Sequence, residues 1–416
     1  MFTKRLARHT RLQLIVGGGV FLLWVLMMIG LRHIYPANGD LNVQLNWWFW
    51  FLDQNGFHGI ATIRQHTGAD VTPIWYYVLF LFTKSGLYAR LTPVYCIRSL
   101  AIVGTIVAVV CTYFIVKTLI KRPGSWQPLI FAAIVPFLPA FFMDLLKTNI
   151  PDSIYLSLDL VALLAMLKKR PGLAWLAVGV AISFKAMAIY FVPFLLFVWL
   201  KRLKSGTIWD RLAPLFVIPG FLVTCIPAYL AGMSLYDATI GVLVSRSGAM
   251  NYEWWGIWQI LFSGAPPWMP GTPTADQASG LMLYGAATAA LAFLVLFVML
   301  FNVKDRQTQF QAAWDLLVAA PIICYLFMPA QHEIYWALAS VIALFVYAMR
   351  RSRASLAVLL VLSFSMLEMY LGGRVMPAVV FDYIVLAVAG YLCWRIFRAT
   401  ELYSNWRKSP LPELDL

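Results

Sequence analysis

The chain has 416 residues, of which 62% are hydrophobic and 12% charged, and its mean hydropathy is +0.77. A soluble domain is about half apolar and about a quarter charged, so this chain lacks the polar residues to cover a water-facing surface; disordered, collagen-like and disulfide-scaffold classes are excluded on the same grounds. Its net charge of +14 then reads as orientation of a polytopic membrane protein by basic loops, not as nucleic-acid binding.

A bilayer core of about 30 Å needs roughly 20 apolar residues per helix, which allows on the order of twelve crossings in this length. The first apolar segment, about 12–31, follows Lys4, Arg5, Arg8 and Arg11. It ends at Leu31-Arg32-His33, not at the small residues of a cleavage site, and is predicted to be an uncleaved helix with a cytoplasmic N-terminus. Gly17-Gly18-Gly19 within it suits close helix packing. An outer loop follows at about 32–92. It holds Asn38-Gly39-Asp40, the aromatic run Trp47-Trp48-Phe49-Trp50, and Gly56, Gly59 and Gly68. The apolar run from Ile74 to Phe82 is too short to span, and the loop is predicted to carry interfacial helices.

Further spans are expected near 93–116, 126–146, 153–167, 172–184, 187–200 and 212–231, then 279–301, 312–328, 334–349, 354–371 and 377–396. Lys168-Lys169-Arg170 precede the stretch 172–200, and Lys201, Arg202 and Lys204 follow it. Two helices turning near Lys185 keep both basic clusters on one side; a single long helix would separate them. A second outer loop is expected at about 233–278. With this alternation, 23 of the 32 Lys and Arg face inward, the bias that positive-inside orientation requires. Both termini are then cytoplasmic. The acidic residues Asp40, Asp53, Asp70, Asp144, Asp152, Asp237, Glu253, Asp276 and Glu333 map outward, so any chemistry is expected to be extracytoplasmic. Cys96, Cys111, Cys225, Cys324 and Cys393 lie in or beside apolar segments without metal-ligand spacing.

Ionisable residues at membrane depth are costly and are functional candidates. Asp40, beside flexible Gly39, could act as a general base or cap the helix that follows. Asp70 could cap the helix begun by Pro73. Asp144 and Asp152 bracket an outer turn; they could hold a divalent cation or sugar hydroxyls, or Asp144 could pair with Lys147 while Asp152 caps the next helix. Lys185 could bind a lipid phosphate or snorkel to headgroups. His332-Glu333 lacks the second His of a zinc-protease helix, and Arg246 and Arg374 could neutralise phosphate. No Walker loop, nucleophile elbow or dinucleotide fingerprint is present, so no nucleotide cofactor is expected.

Four patches resemble, in order, the GT-C superfamily of membrane glycosyltransferases, and within it bacterial mannosyltransferase-like proteins. They are Gly39-Asp40 with Gly56-Phe57; Val71-Thr72-Pro73-Ile74-Trp75-Tyr76-Tyr77; Leu138-Pro139, Asp152-Ser153-Ile154-Tyr155 and Ser183-Phe184-Lys185; and Met328-Pro329-Ala330-Gln331-His332-Glu333-Ile334-Tyr335. Departures from the family pattern include Asp144 for an Asn, Met187 for a Gln and Ile334 for an Arg. The resemblance implies an all-helical GT-C-like catalytic module over 1–350, with C-terminal helices and a tail over 351–416. It implies an inner-membrane enzyme using a polyprenyl-phosphate sugar donor and an outward-facing glycan or glycolipid acceptor. Asp40 would be the catalytic base. Lys185, His332, Arg246 and Arg374 would meet the donor phosphate, and Asp70, Asp144, Asp152, Tyr155, Glu333 and Tyr335 would line the substrate site. Two rivals are a lipid-linked-glycan transporter or flippase and a glycan polymerase or ligase of another membrane fold. A transporter predicts repeat symmetry between halves, which the sequence lacks. A polymerase or ligase predicts a late outer loop with arginines, which Arg246 leaves open.

Overall fold

A computed structural model describes residues 2–31, 39–68, 71–122, 124–147, 151–241, 257, 275–328, 336–370 and 378–408. The described residues are helical, without a strand. In chain order the helices are α1 (Phe2–Leu31), α2 (Gly39–Asn55), α3 (Gly59–Thr67), α4 (Pro73–Lys84), α5 (Leu87–Ile120), α6 (Gln127–Ile134), α7 (Pro139–Lys147), α8 (Asp152–Leu167) and α9 (Pro171–Phe184). They continue with α10 (Val192–Arg202), α11 (Ile208–Leu212), α12 (Val217–Leu230), α13 (Ala275–Phe301), α14 (Arg306–Phe327), α15 (Ala337–Arg350), α16 (Arg353–Tyr370), α17 (Ala378–Arg398) and α18 (Glu401–Lys408). Among the described residues, seven helical stretches are long and apolar enough to cross a membrane: Arg11–Gly30, Leu87–Ile120, Gln127–Leu146, Ile208–Leu230, Leu283–Phe301, Arg306–Phe327 and Val380–Arg398. α9 and α15 are apolar but shorter, at 14 residues each.

The chain divides into two compact units, Met1–Ile189 with Trp199–Ser247, and Tyr190–Val198 with Gly248–Leu416. In the first unit, α8 packs between α5 and α9, and α9 packs on α12. Glycines permit these approaches. A Cβ on Gly179 would stand 2.3 Å from the Val217 carbonyl oxygen, and one on Gly220 would stand 2.3 Å from that of Leu176. Small residues at a helix crossing let backbones meet where lipid provides no hydrophobic drive for association. Gly172 lies beside Phe216, and the Trp199 indole donates to the Arg211 carbonyl at 3.0 Å. The chain that leaves α9 at Phe184 therefore returns to the level at which α9 began. The basic clusters at 168–170 and 201–211 thus share one end of the first unit.

The loop after α1 is a folded layer. Trp48, Phe49 and Leu52 of α2, Ile60 and Ile63 of α3 and Trp75, Tyr76 and Leu79 of α4 are buried in one cluster with Val94 and Ile97 of α5 and Cys225 and Ala228 of α12. Pro73 occupies the first turn of α4, where its missing N–H costs nothing. α5 is broken at Thr92, whose φ of 61° lies in a region that side chains rarely adopt, just ahead of Pro93.

In the second unit α14 is buried along almost its whole length and packs on α13, α15 and α17. Asp305 caps it, accepting from the Thr308 N–H at 2.6 Å. Tyr325 near its other end donates to Asp382 of α17 at 2.6 Å and packs edge-on against Trp336, with ring centroids 4.6 Å apart.

Candidate functional site

The site forms where α7, α8 and α9 end on one side of the first unit. The first N–H groups of a helix have no intrahelical partner. At α8 a carboxylate from the preceding helix serves them. Asp144 Oδ1 accepts from the Asp152 N–H and Oδ2 from the Ser153 N–H, each at 2.9 Å, and the Asp144 side chain is buried. A carboxylate at a helix N-terminus also meets the positive end of the helix dipole. The cap of α8 is therefore Asp144, and Asp152 stands inside the first turn with its side chain free for other work. Gly104 of α5 fits beneath this turn, where a Cβ would lie 2.7 Å from the Ser153 backbone carbon.

Lys185 closes the arrangement. α9 stops at Phe184, and Lys185 takes an extended backbone before a short 3-10 helix, Ala186–Phe191. Its ammonium pairs with Asp152 Oδ1 and lies 5.8 Å from the centre of the Tyr155 ring. Asp152 is fully buried, whereas the Lys185 side chain is 20% exposed. Asp152 Oδ2 has no hydrogen-bond partner among the described residues. Of the four carboxylate oxygens of Asp144 and Asp152, three already face donors. Among the described residues, no group of three His, Cys, Asp or Glu side chains is placed to hold a metal ion, and the Asp144–Asp152 pair is better suited to fixing a helix end and a lysine than to binding a divalent cation.

The turn at Lys185 is held from the first loop. The Phe184 carbonyl accepts from the Trp75 indole N–H at 2.9 Å and from the Thr72 hydroxyl at 3.2 Å. The Trp75 and Phe184 rings meet edge to face at 5.4 Å. Thr72 is the residue before α4, and its hydroxyl serves this carbonyl, not the helix. The stretches Val71–Trp75 and Ser183–Lys185 therefore meet in space. An apolar cavity between them is lined by Thr72, Ile182, Ser183, Phe221 and Thr224.

Four sequence candidates, Asp144, Asp152, Tyr155 and Lys185, are thus brought together. Asp40 falls in the first turn of α2, its side chain outside the described residues. Asp70, Arg246, His332, Glu333, Tyr335 and Arg374 also lie outside the described residues.

Other buried polar residues escaped the sequence reading. Asp159 lies two turns along α8 from Asp152, fully buried, and neither carboxylate oxygen has a partner among the described residues. Asp315, Glu368 and Asp382 are buried in the second unit. Each sits inside an apolar run, and that isolation was the available signal. No protein-family model matches the chain, and no curated protein matches it.

Proposed function

We propose that the protein is an inner-membrane, GT-C-like glycosyltransferase that moves a sugar from a polyprenyl-phosphate donor to a hydroxyl of an extracytoplasmic glycan or glycolipid. In this reading all twelve apolar segments expected from the sequence cross the membrane, both termini are cytoplasmic and Lys185 opens to the outer side. The observation that carries the proposal is the meeting of Val71–Trp75 with Ser183–Lys185 at the Phe184 carbonyl, one residue before the partly exposed Lys185. Both stretches belong to the patches that carry the family resemblance, and they lie more than a hundred residues apart.

The acceptor oxygen attacks the anomeric carbon as the bond to the donor phosphate oxygen breaks, so configuration inverts. Asp40 takes the acceptor proton as general base. The leaving lipid phosphate carries away the electron pair. Lys185, held in place by Asp152 and Tyr155, stabilises that charge, joined by His332, Arg246 or Arg374. Asp144 keeps the α8 turn and hence Asp152 in position. Tyr155, Asp70, Glu333 and Tyr335 complete the substrate contacts.

The test is transfer by the purified protein with a panel of polyprenyl-phosphate sugars. Lys185→Ala should weaken donor binding about 10- to 100-fold, the equivalent of the roughly 1.5–3 kcal/mol of a charge-assisted contact. Absence of transfer from every donor, or unchanged donor affinity in Lys185→Ala, would overturn the proposal. A lipid-linked-glycan transporter is the second reading. It is favoured by Asp159, a buried carboxylate inside a helix bundle of the kind that ion-coupled carriers use. It predicts lipid-linked glycan translocation that is lost in Asp159→Asn, with no sugar transfer.

A further inference from the structure

A second charged cluster lies in the other unit, where the C-terminal ends of α15 and α17 meet α14 and the start of α16. Arg350 Nη1 donates to Asp315 Oδ1 at 2.5 Å, and its Nη2 donates to Asp315 Oδ2 at 3.0 Å and to the Gln311 carbonyl at 2.6 Å. Arg395 approaches the same carboxylate, its Nε 3.4 Å from Oδ2. The Arg350 and Asp315 side chains are buried, at 8% and 3% exposure, while Arg395 is 25% exposed. Two guanidinium groups share one carboxylate, which leaves one positive charge uncompensated among the described residues. A cleft opens over them with Ser355 on one wall and Val346, Val358 and Leu392 on the others. Arg350 lines that cleft, and its buried Nε–H has no acceptor among the described residues. A buried donor without a partner is costly, and the residual charge rests on the partly exposed Arg395, where an incoming anion can meet it.

We infer that this cleft binds the phosphodiester of an anionic membrane lipid. One negative phosphate offsets the one residual positive charge. Arg395, the exposed member, is the entry contact. The apolar walls suit the first carbons of a lipid chain and give an amphiphile an advantage over free phosphate. Arg351, Arg353 and Arg398 stand at the same helix ends in sequence. Clustered basic residues beside membrane helices attract anionic lipids. A zwitterionic lipid would bring an ammonium into a cleft that is already positive.

Native mass spectrometry of the full chain in detergent tests this with three probes: dioleoyl phosphatidylglycerol, dioleoyl phosphatidylcholine and inorganic phosphate. One phosphatidylglycerol should be retained per chain, at least about tenfold more tightly than phosphatidylcholine, and an equal concentration of phosphate should not displace it. Arg395→Gln should weaken phosphatidylglycerol about tenfold, the scale of one charge-assisted bond, and bring the two lipids level. Val358→Phe keeps every charge and narrows the cleft, so it should also weaken the lipid if Arg395→Gln fails to fold. Equal retention of both lipids by the unaltered chain would overturn the inference. So would wild-type retention in either folded variant. Displacement by inorganic phosphate would mark a free-anion site and refute the lipid.

Discussion

Breaking the Lys185–Asp152 pair gives the sharpest test of the site. Lys185→Met would strand a carboxylate with 0% side-chain exposure close to Asp144, whose own oxygens are committed to two backbone N–H groups. Removing one partner of a buried pair costs about 3–5 kcal/mol. Lys185 is 20% exposed, so water already shares its charge and the lower end, about 3 kcal/mol, applies. Asp152→Asn leaves an ammonium that can reach water, and should cost about 1–2 kcal/mol. The double variant leaves no stranded charge and should lose only about 1–2 kcal/mol, mostly from imperfect packing and hydrogen bonding. The expected coupling is therefore at least about 2 kcal/mol. Denaturant unfolding of the four proteins in one detergent measures it. Additivity to within about 0.5 kcal/mol would refute the pairing. Transfer activity separates position from charge: the double variant should regain stability over Lys185→Met and still bind donor poorly, since the cation is gone from both.

Asp40→Asn keeps the shape of the side chain and removes its basicity, so transfer should fall by about 10²–10⁴-fold with insertion and donor binding intact; near-normal transfer would leave Asp40 no role as base. For topology, single cysteines at Lys121, Arg202 and Arg351 should resist an impermeant reagent added outside, whereas cysteines at Asp40 and Arg246 should react. Labelling at position 202 from outside would break the expected hairpin. Gly220→Val drives a branched side chain toward the Leu176 carbonyl and should destabilise the first unit by about 1–3 kcal/mol or more. Gly18, with nothing within 4 Å of a built Cβ, should accept the same change within about 0.5 kcal/mol, and equal unfolding midpoints for the two variants would disprove the close crossing.

The helical character of the chain was legible because long apolar runs and their basic flanks are properties of composition. α13 and α17 lie close to the spans expected at 279–301 and 377–396. The first outer loop was less legible. Its aromatic run suggested helices resting on the bilayer surface. Trp47 and Trp50 are indeed exposed, but Trp48 and Phe49 are in the packed cluster with α3, α4 and α5. A helical pattern shows that one face is apolar, and cannot say whether protein or lipid covers it. Asp144 was singled out by its position, but its capping of α8 was not foreseen, because a cap supplied by the preceding helix depends on how two elements meet. The Asp152–Lys185 pair spans 33 residues, and no local spacing announces it. Asp159 and Asp382 stand within apolar runs away from any cap or turn pattern, so only their isolation in sequence marks them.

The two hydrogen bonds that converge on the Phe184 carbonyl also set an order of assembly. Their donors precede it by 112 and 109 residues. At about 5–20 residues per second of synthesis, α4 is made on the order of 5–20 s before its acceptor exists. During that interval the Trp75 indole and the Thr72 hydroxyl must be served by other partners, such as water or headgroups. These two bonds form only once α9 is made and has brought the Phe184 carbonyl to the loop. The seat of the first loop is thus completed only by a much later stretch of the chain, and Cys225 and Ala228 of α12 join the same cluster later still.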